Sequence, residues 1–135
     1  MSQAPITAVA IAAFLTVATL FPLVTSATES SSSGTETGIA ACYNRRLKGH
    51  RTTSGQRYNP NALTAAHSSF PMGTHVKVTN IENGKSVVVL VNDHMSANAR
   101  GGIIMDISQR ACKELQFPKG GEAKVKLEVQ TATSR

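Results

Sequence analysis

The chain has 135 residues, one domain's worth, and a net charge of +6. Residues 1–37 hold no Lys or Arg and two acidic residues, Glu29 and Glu36, so all 14 basic residues fall in residues 38–135 against six acidic ones, a local net of +8. That length excludes two separate cores, the frequent Gly, Pro, Asn, Thr and Val exclude a large helical bundle, and the absence of Trp excludes a broad aromatic platform for a ligand.

In chain order, residues 6–24 are almost wholly apolar, interrupted by Thr7, Thr16, Thr19 and Pro22, and a Ser/Thr-rich run follows to residue 37. Val24-Thr25-Ser26-Ala27 offers small residues for cleavage after Ser26 or Ala27, so residues 1–26 are predicted to be a signal peptide and the protein to be exported to the periplasm, the envelope or the medium. The alternative is an uncleaved anchor, because about 19 apolar residues just span a bilayer. Once the leader is cleaved, no integral membrane domain is expected. Residues 27–37 read as a linker, 38–130 as the globular domain and 131–135 as a tail. Cys42 and Cys112 are the two cysteines, and in an exported chain they predict one disulfide, the alternative being two buried thiols.

Within the domain, residues 38–43 predict a first strand, 48–61 a long basic loop, and 63–67 a short strand or turn before the Pro71-Met72-Gly73 turn. Val76 and Val78 alternate with Lys77 and Thr79, the period of a half-buried strand. Asn83-Gly84 signals a hairpin into residues 87–91, whose continuous apolarity predicts a central strand buried on both faces. Residues 103–105 predict another strand, Ser108 a cap for a short helix reaching Leu115 before Pro118, and Val125, Leu127 and Val129 a last alternating strand. Short, closely spaced strands with one small helix predict an all-β fold, a compact β-barrel.

Of the six carboxylates in this domain, Asp93 and Asp106 stand apart because each ends an apolar strand. Desolvation or a neighbouring carboxylate there raises a carboxyl pKa, as a general acid requires, although either residue could instead cap a turn. His67, after small and apolar residues 63–66, is either a satisfied core group or a site member. No histidine pair has metal-binding spacing and no phosphate-binding glycine loop occurs, so neither metal nor cofactor is expected. Arg45, Arg46, Lys48 and Arg51 make a basic cluster, either a solvated face or an attractor for an anionic polymer. Without interleaved aromatics, nucleic acid is not an expected partner.

Thr52-Thr53-Ser54-Gly55-Gln56-Arg57-Tyr58, Leu63-Thr64-Ala65-Ala66-His67, Pro71-Met72-Gly73-Thr74, Val91-Asn92-Asp93 and Ile104-Met105-Asp106-Ile107-Ser108 resemble, in order, segments of the rare lipoprotein A (RlpA) family. The resemblance covers roughly residues 38–129. It implies a six-stranded double-psi β-barrel and the activity of a lytic transglycosylase on peptidoglycan glycan strands, leaving anhydro-muramic acid ends. It implies Asp93 and His67 as the catalytic pair and Asp106 as an acid lining the same groove. Asp93 would donate its proton to the glycosidic oxygen and His67 would orient it, with Tyr43, Thr53, Ser54, Tyr58 and Asn92 contacting substrate. After Asn92-Asp93 the family usually has Arg-Gly-Pro-Phe, where this chain has His94-Met95-Ser96-Ala97, and the usual Trp-Tyr-Gly is replaced by Ala41-Cys42-Tyr43-Asn44. The alternatives are a non-catalytic, expansin-like polysaccharide-binding or wall-loosening module and a secreted effector or inhibitor that reuses the barrel to bind a protein. A monomer is expected.

Overall fold

The computed structural model describes residues 34–97 and 101–131, together with Ala18. The signal peptide or anchor, the linker up to residue 33 and residues 132–135 therefore lie outside the described residues, Ala18 apart. The described part is a closed six-stranded barrel built from β1 (Thr35–Cys42), β2 (Thr64–His67), β3 (His75–Asn80), β4 (Ser86–His94), β5 (Ile103–Ile107) and β6 (Glu122–Gln130), with one helix, α1 (Gln109–Glu114). Around the barrel the order is β1-β5-β2-β4-β3-β6. Two neighbouring pairs, β1/β5 and β2/β4, run parallel and the others antiparallel.

Alternation along each strand builds the interior. Ala40, Ala65, Val76, Val78, Val89, Val91, Met105, Ile107, Val125 and Leu127 point inward and form one apolar core. Strand β4 departs from expectation: Val89 and Val91 are fully buried, but Val88 is 42% exposed and Leu90, between the buried pair, is only half-buried. A single closed barrel has one interior, so even an unbroken valine run keeps an outer face. β1 also starts earlier than expected. Residues 35–37, read as the end of the linker, pair with Lys126, Leu127 and Glu128 of β6 and belong to the barrel.

The helix closes one end. Ser108 caps it by accepting from the Ala111 N–H, and Ala111, Cys112 and Leu115 bury into the core. At its other end the Leu115 carbonyl accepts from the side-chain amides of Asn80 and Asn83, each at 3.0 Å, which ties the β3–β4 hairpin to the helix. The hairpin turns at Gly84, whose φ of 74° is where the predicted Asn-Gly signal lies. Cys42 at the end of β1 and Cys112 on α1 form the expected disulfide, their Cα atoms 6.0 Å apart. Among the described residues no helix is long and apolar enough to cross a membrane.

Candidate functional site

Both aspartates lie inside strands rather than after them, and that fixes which way they face. Asp93 of β4 and Asp106 of β5 each register against Ala66 of the intervening β2, and Asp106 also against Ala41 of β1. Ala41, Asp106, Ala66 and Asp93 thus form one row across four adjacent strands, on the face opposite the core. Two strand spacings separate the aspartate backbones, about 10 Å. Ala66 between them and Ala41 beside Asp106 contribute only methyl groups to this row, which we term the trough. Ala41 and Ala66 of this row pack with Met95 and Ile103 in a second small buried cluster, against Ile39 and Tyr43. Met95, one of the departures after Asp93, is part of this cluster.

Three segments converge on Asp93. The Thr53 N–H and hydroxyl donate to Oδ1 at 2.9 and 2.8 Å, the His94 N–H donates to the same oxygen at 2.9 Å, and the Tyr43 hydroxyl donates to Oδ2 at 2.8 Å. Partial burial lifts the carboxyl, but these donors from Thr53, Tyr43 and His94 outweigh it, and Asp93 sits below the usual carboxylate range. The direction is thus opposite to the raised value expected at a strand end. Tyr43 moves the other way. Burial first, then the hydrogen bond to Asp93 and the charges of Asp93 and Asp106, push its hydroxyl up, so it stays a donor.

The loop carrying Thr53 is held from below. A bridge between Arg51 and Arg57 closes it, and the Thr52 N–H and hydroxyl both donate to the Gln56 carbonyl, at 2.8 and 2.9 Å. The Ser54 N–H donates to the Asn92 carbonyl, and Asn92 Nδ2 to Gln56 Oε1 at 3.1 Å. Asn92 is itself buried, and Tyr58, 4% exposed, packs its ring 4.4 Å from that of Tyr43. Of the five residues expected to contact substrate, Thr53 and Tyr43 reach Asp93, the Ser54 hydroxyl pairs with that of Thr52, and Asn92 and Tyr58 are buried as supports. Arg51 is likewise engaged, donating to the Gly55 carbonyl.

His67 lies on the other side of the wall. Ala66 and His67 are consecutive in a strand, so they face opposite ways, and Asp93 shares the face of Ala66. The imidazole registers beside inward-facing Met105, is 1% exposed, and stacks on Phe70 with centroids 3.7 Å apart. Its Nδ1 accepts from the Ser69 and Phe70 N–H groups, both at 3.1 Å, so Nε2 carries the proton and donates to Glu36 Oε2 at 2.9 Å. The expected pairing of His67 with Asp93 is replaced by a clamp between β2, the β2–β3 turn and the start of β1. Glu36 went unrecognised because the polar run before it has a linker's composition, and only the strand register places it in the fold. His67→Ala is expected to cost about 3 kcal/mol, since it empties a buried stack and strands two N–H groups. Glu36→Gln, which keeps an acceptor, should cost under about 1 kcal/mol. Urea unfolding checks both, and a His67→Ala protein as stable as the parent would release the imidazole from this structural role. Among the described residues no three of His, Cys, Asp and Glu converge as a metal site requires.

Residues 35–127, from the first strand into the last, match the lytic transglycolase family. The chain belongs to that family. It is 46% identical over 94 residues to the endolytic peptidoglycan transglycosylase RlpA of Neisseria meningitidis, covering 70% of this chain and 38% of that protein. The RlpA transglycosylase of Vibrio cholerae is 41% identical over 97 residues, covering 72% of this chain and 36% of its own. The chain thus spans well under half the length of these relatives of the family. Among solved structures, a Streptomyces papain inhibitor aligns with a TM-score of 0.56 at 21% identity, over 72% of this chain and 94% of that one. An expansin of Clavibacter michiganensis, solved with cellohexaose, aligns with a TM-score of 0.57 at 19% identity, over 75% of this chain and 52% of that one. Both share the family's barrel.

Proposed function

We propose that this protein is an exported lytic transglycosylase that cuts peptidoglycan glycan strands laid along the trough and leaves anhydro-muramic acid ends. The observation that carries the reading is Asp93, a part-buried carboxylate gripped by Tyr43, Thr53 and the His94 N–H on the outer face of the barrel. Family membership and the activity named for the relatives support it.

In this mechanism a glycan strand covers the trough and strips water from Asp93. Desolvation is already the largest influence on that carboxyl, and more of it favours the protonated form, so Asp93 takes up a proton as substrate binds. It then gives that proton to the glycosidic oxygen after N-acetylmuramic acid, and the C1–O bond breaks toward an oxocarbenium-like state. The sugar's own primary hydroxyl attacks C1, forming the anhydro ring, and its proton returns to the Asp93 carboxylate. The proton inventory closes on one residue, and no water is consumed, in contrast to hydrolysis with its two placed carboxylates. Tyr43 and Thr53 orient Asp93, and Asp106 faces the same trough as a second negative charge beside the developing cation.

Incubating the protein with purified sacculi and analysing the released fragments by mass spectrometry tests the reading: anhydro-muropeptides are expected. Binding to sacculi without any anhydro product would assign the trough to a wall-binding module of the expansin kind instead.

A further inference from the structure

A basic cavity lies away from Asp93. It has a volume of about 850 Å³, inside the ~300–1,000 Å³ range of small-ligand sites, and opens beside the disulfide, between α1, the 3-10 turn Arg45–Leu47 and residues 117–121. Five cationic side chains line it: Arg45, Lys48, Arg110, Lys113 and Lys119. No lining residue is acidic. Arg110 is partly answered by Glu114 at 3.0 Å, just outside the lining, while Arg45, Lys48, Lys113 and Lys119 have no ion-pair partner among the described residues. Phe117, Pro118 and Pro60 add apolar surface.

The frame is firm. The Cys42–Cys112 bond joins two of the walls, and the Gln109 side chain, also lining the cavity, donates to the Tyr43 carbonyl. Tyr43 is the residue whose hydroxyl holds Asp93. The cavity and the Asp93 site are therefore linked through one residue, Tyr43, whose carbonyl holds the cavity's Gln109 and whose hydroxyl holds Asp93. Unpaired like charges around a concave surface repel one another and draw in anions, while the apolar patches suit the faces of sugar rings.

We propose that this cavity is a subsite for the carboxylates of the wall glycan strand, resting on the reading that the trough holds that strand. Two sources carry the same chemistry: the lactyl carboxylate of muramic acid on peptide-free strands, and the carboxylates of stem peptides. The cavity would thus select where along a strand the protein settles, apart from the bond it cuts.

The test measures equilibrium binding of the purified protein to peptide-free glycan strands, to peptide-bearing strands, and to both after their carboxylates are capped as methylamides. Capping is expected to weaken binding by about tenfold, the scale of a few exposed charge contacts, as is Lys48→Glu/Lys119→Glu. That double variant should no longer respond to capping, and Lys85→Glu/Lys124→Glu, an equal charge change away from the cavity, should bind as the parent does. Capping-sensitive binding of peptide-free strands assigns the lactyl carboxylate, and binding confined to peptide-bearing strands assigns the stem peptide. Parent-like binding by Lys48→Glu/Lys119→Glu, or equal loss in the Lys85→Glu/Lys124→Glu control, overturns the subsite. Anhydro-product release by the parent protein is scored separately, so a failed cavity leaves the transglycosylase reading standing, and an inactive parent with capping-sensitive, cavity-dependent binding leaves the cavity standing.

Discussion

Asp93→Asn is expected to lower anhydro-sugar release by about 10²–10⁴-fold, the usual contribution of a positioned acid–base group, while binding to sacculi persists. The substitution preserves shape: the amide oxygen can still accept from Thr53 and His94, and the amide nitrogen can face the Tyr43 hydroxyl. What it removes is the transferable proton. The pH profile carries an independent signature. A group that must be protonated loses activity as pH rises through its pKa. For kcat/KM that pKa belongs to the free protein, where the donors around Asp93 hold it below the ordinary range, so kcat/KM should fall with rising pH from the acid side. For kcat it belongs to the covered site, and the fall should come at higher pH. Profiles that instead rise with pH and level off would make Asp93 a base from the outset. Full activity in Asp93→Asn with loss in Asp106→Asn would move the acid's role to Asp106.

Removing the disulfide should have the largest effect on stability. Cys42 and Cys112 close a 70-residue loop, for which the chain-entropy account gives about 4 kcal/mol. A Cys42→Ala/Cys112→Ala protein should unfold in urea at a midpoint lower by roughly 2 M, given the m-value of a small domain. The effect should not be confined to the unfolded chain, because Cys112 sits in the core beside Leu115 and both cysteines line the basic cavity. An unchanged midpoint would mean that the barrel is held without the link.

Much of the fold was legible in the residues because its determinants are local. Alternation at Val76–Val78 and Val125–Leu127, the Asn83-Gly84 turn and the Ser108 cap each reflect a few neighbouring residues, and the strands and helix formed where those signals lie. The motif segments carried the barrel and marked Asp93 and Asp106 as facing one groove, and both aspartates register against Ala66.

What remained closed to sequence reading depends on pairing between distant strands. Composition assigned Glu36 to a linker, yet its register with Leu127 puts it inside the barrel, within reach of His67. Whether His67 faces groove or core turns on a single step of alternation, and only the pairing of Ala66 with Asp93 and of His67 with Met105 decides it. The protonation of Asp93 was equally out of reach: apolar neighbours in sequence argue for a raised pKa, but the donors that lower it come from residues 43 and 53, brought over by the fold. The basic cavity likewise joins Arg45 and Lys48 to Arg110, Lys113 and Lys119, which lie more than sixty positions along the chain and meet across the disulfide. Amino-acid order determined the strands, the caps and the chemical groups available. The barrel's closure determined which groups meet, because side-chain direction and charge environment follow from strand register, a property of pairs of segments that neither segment carries alone.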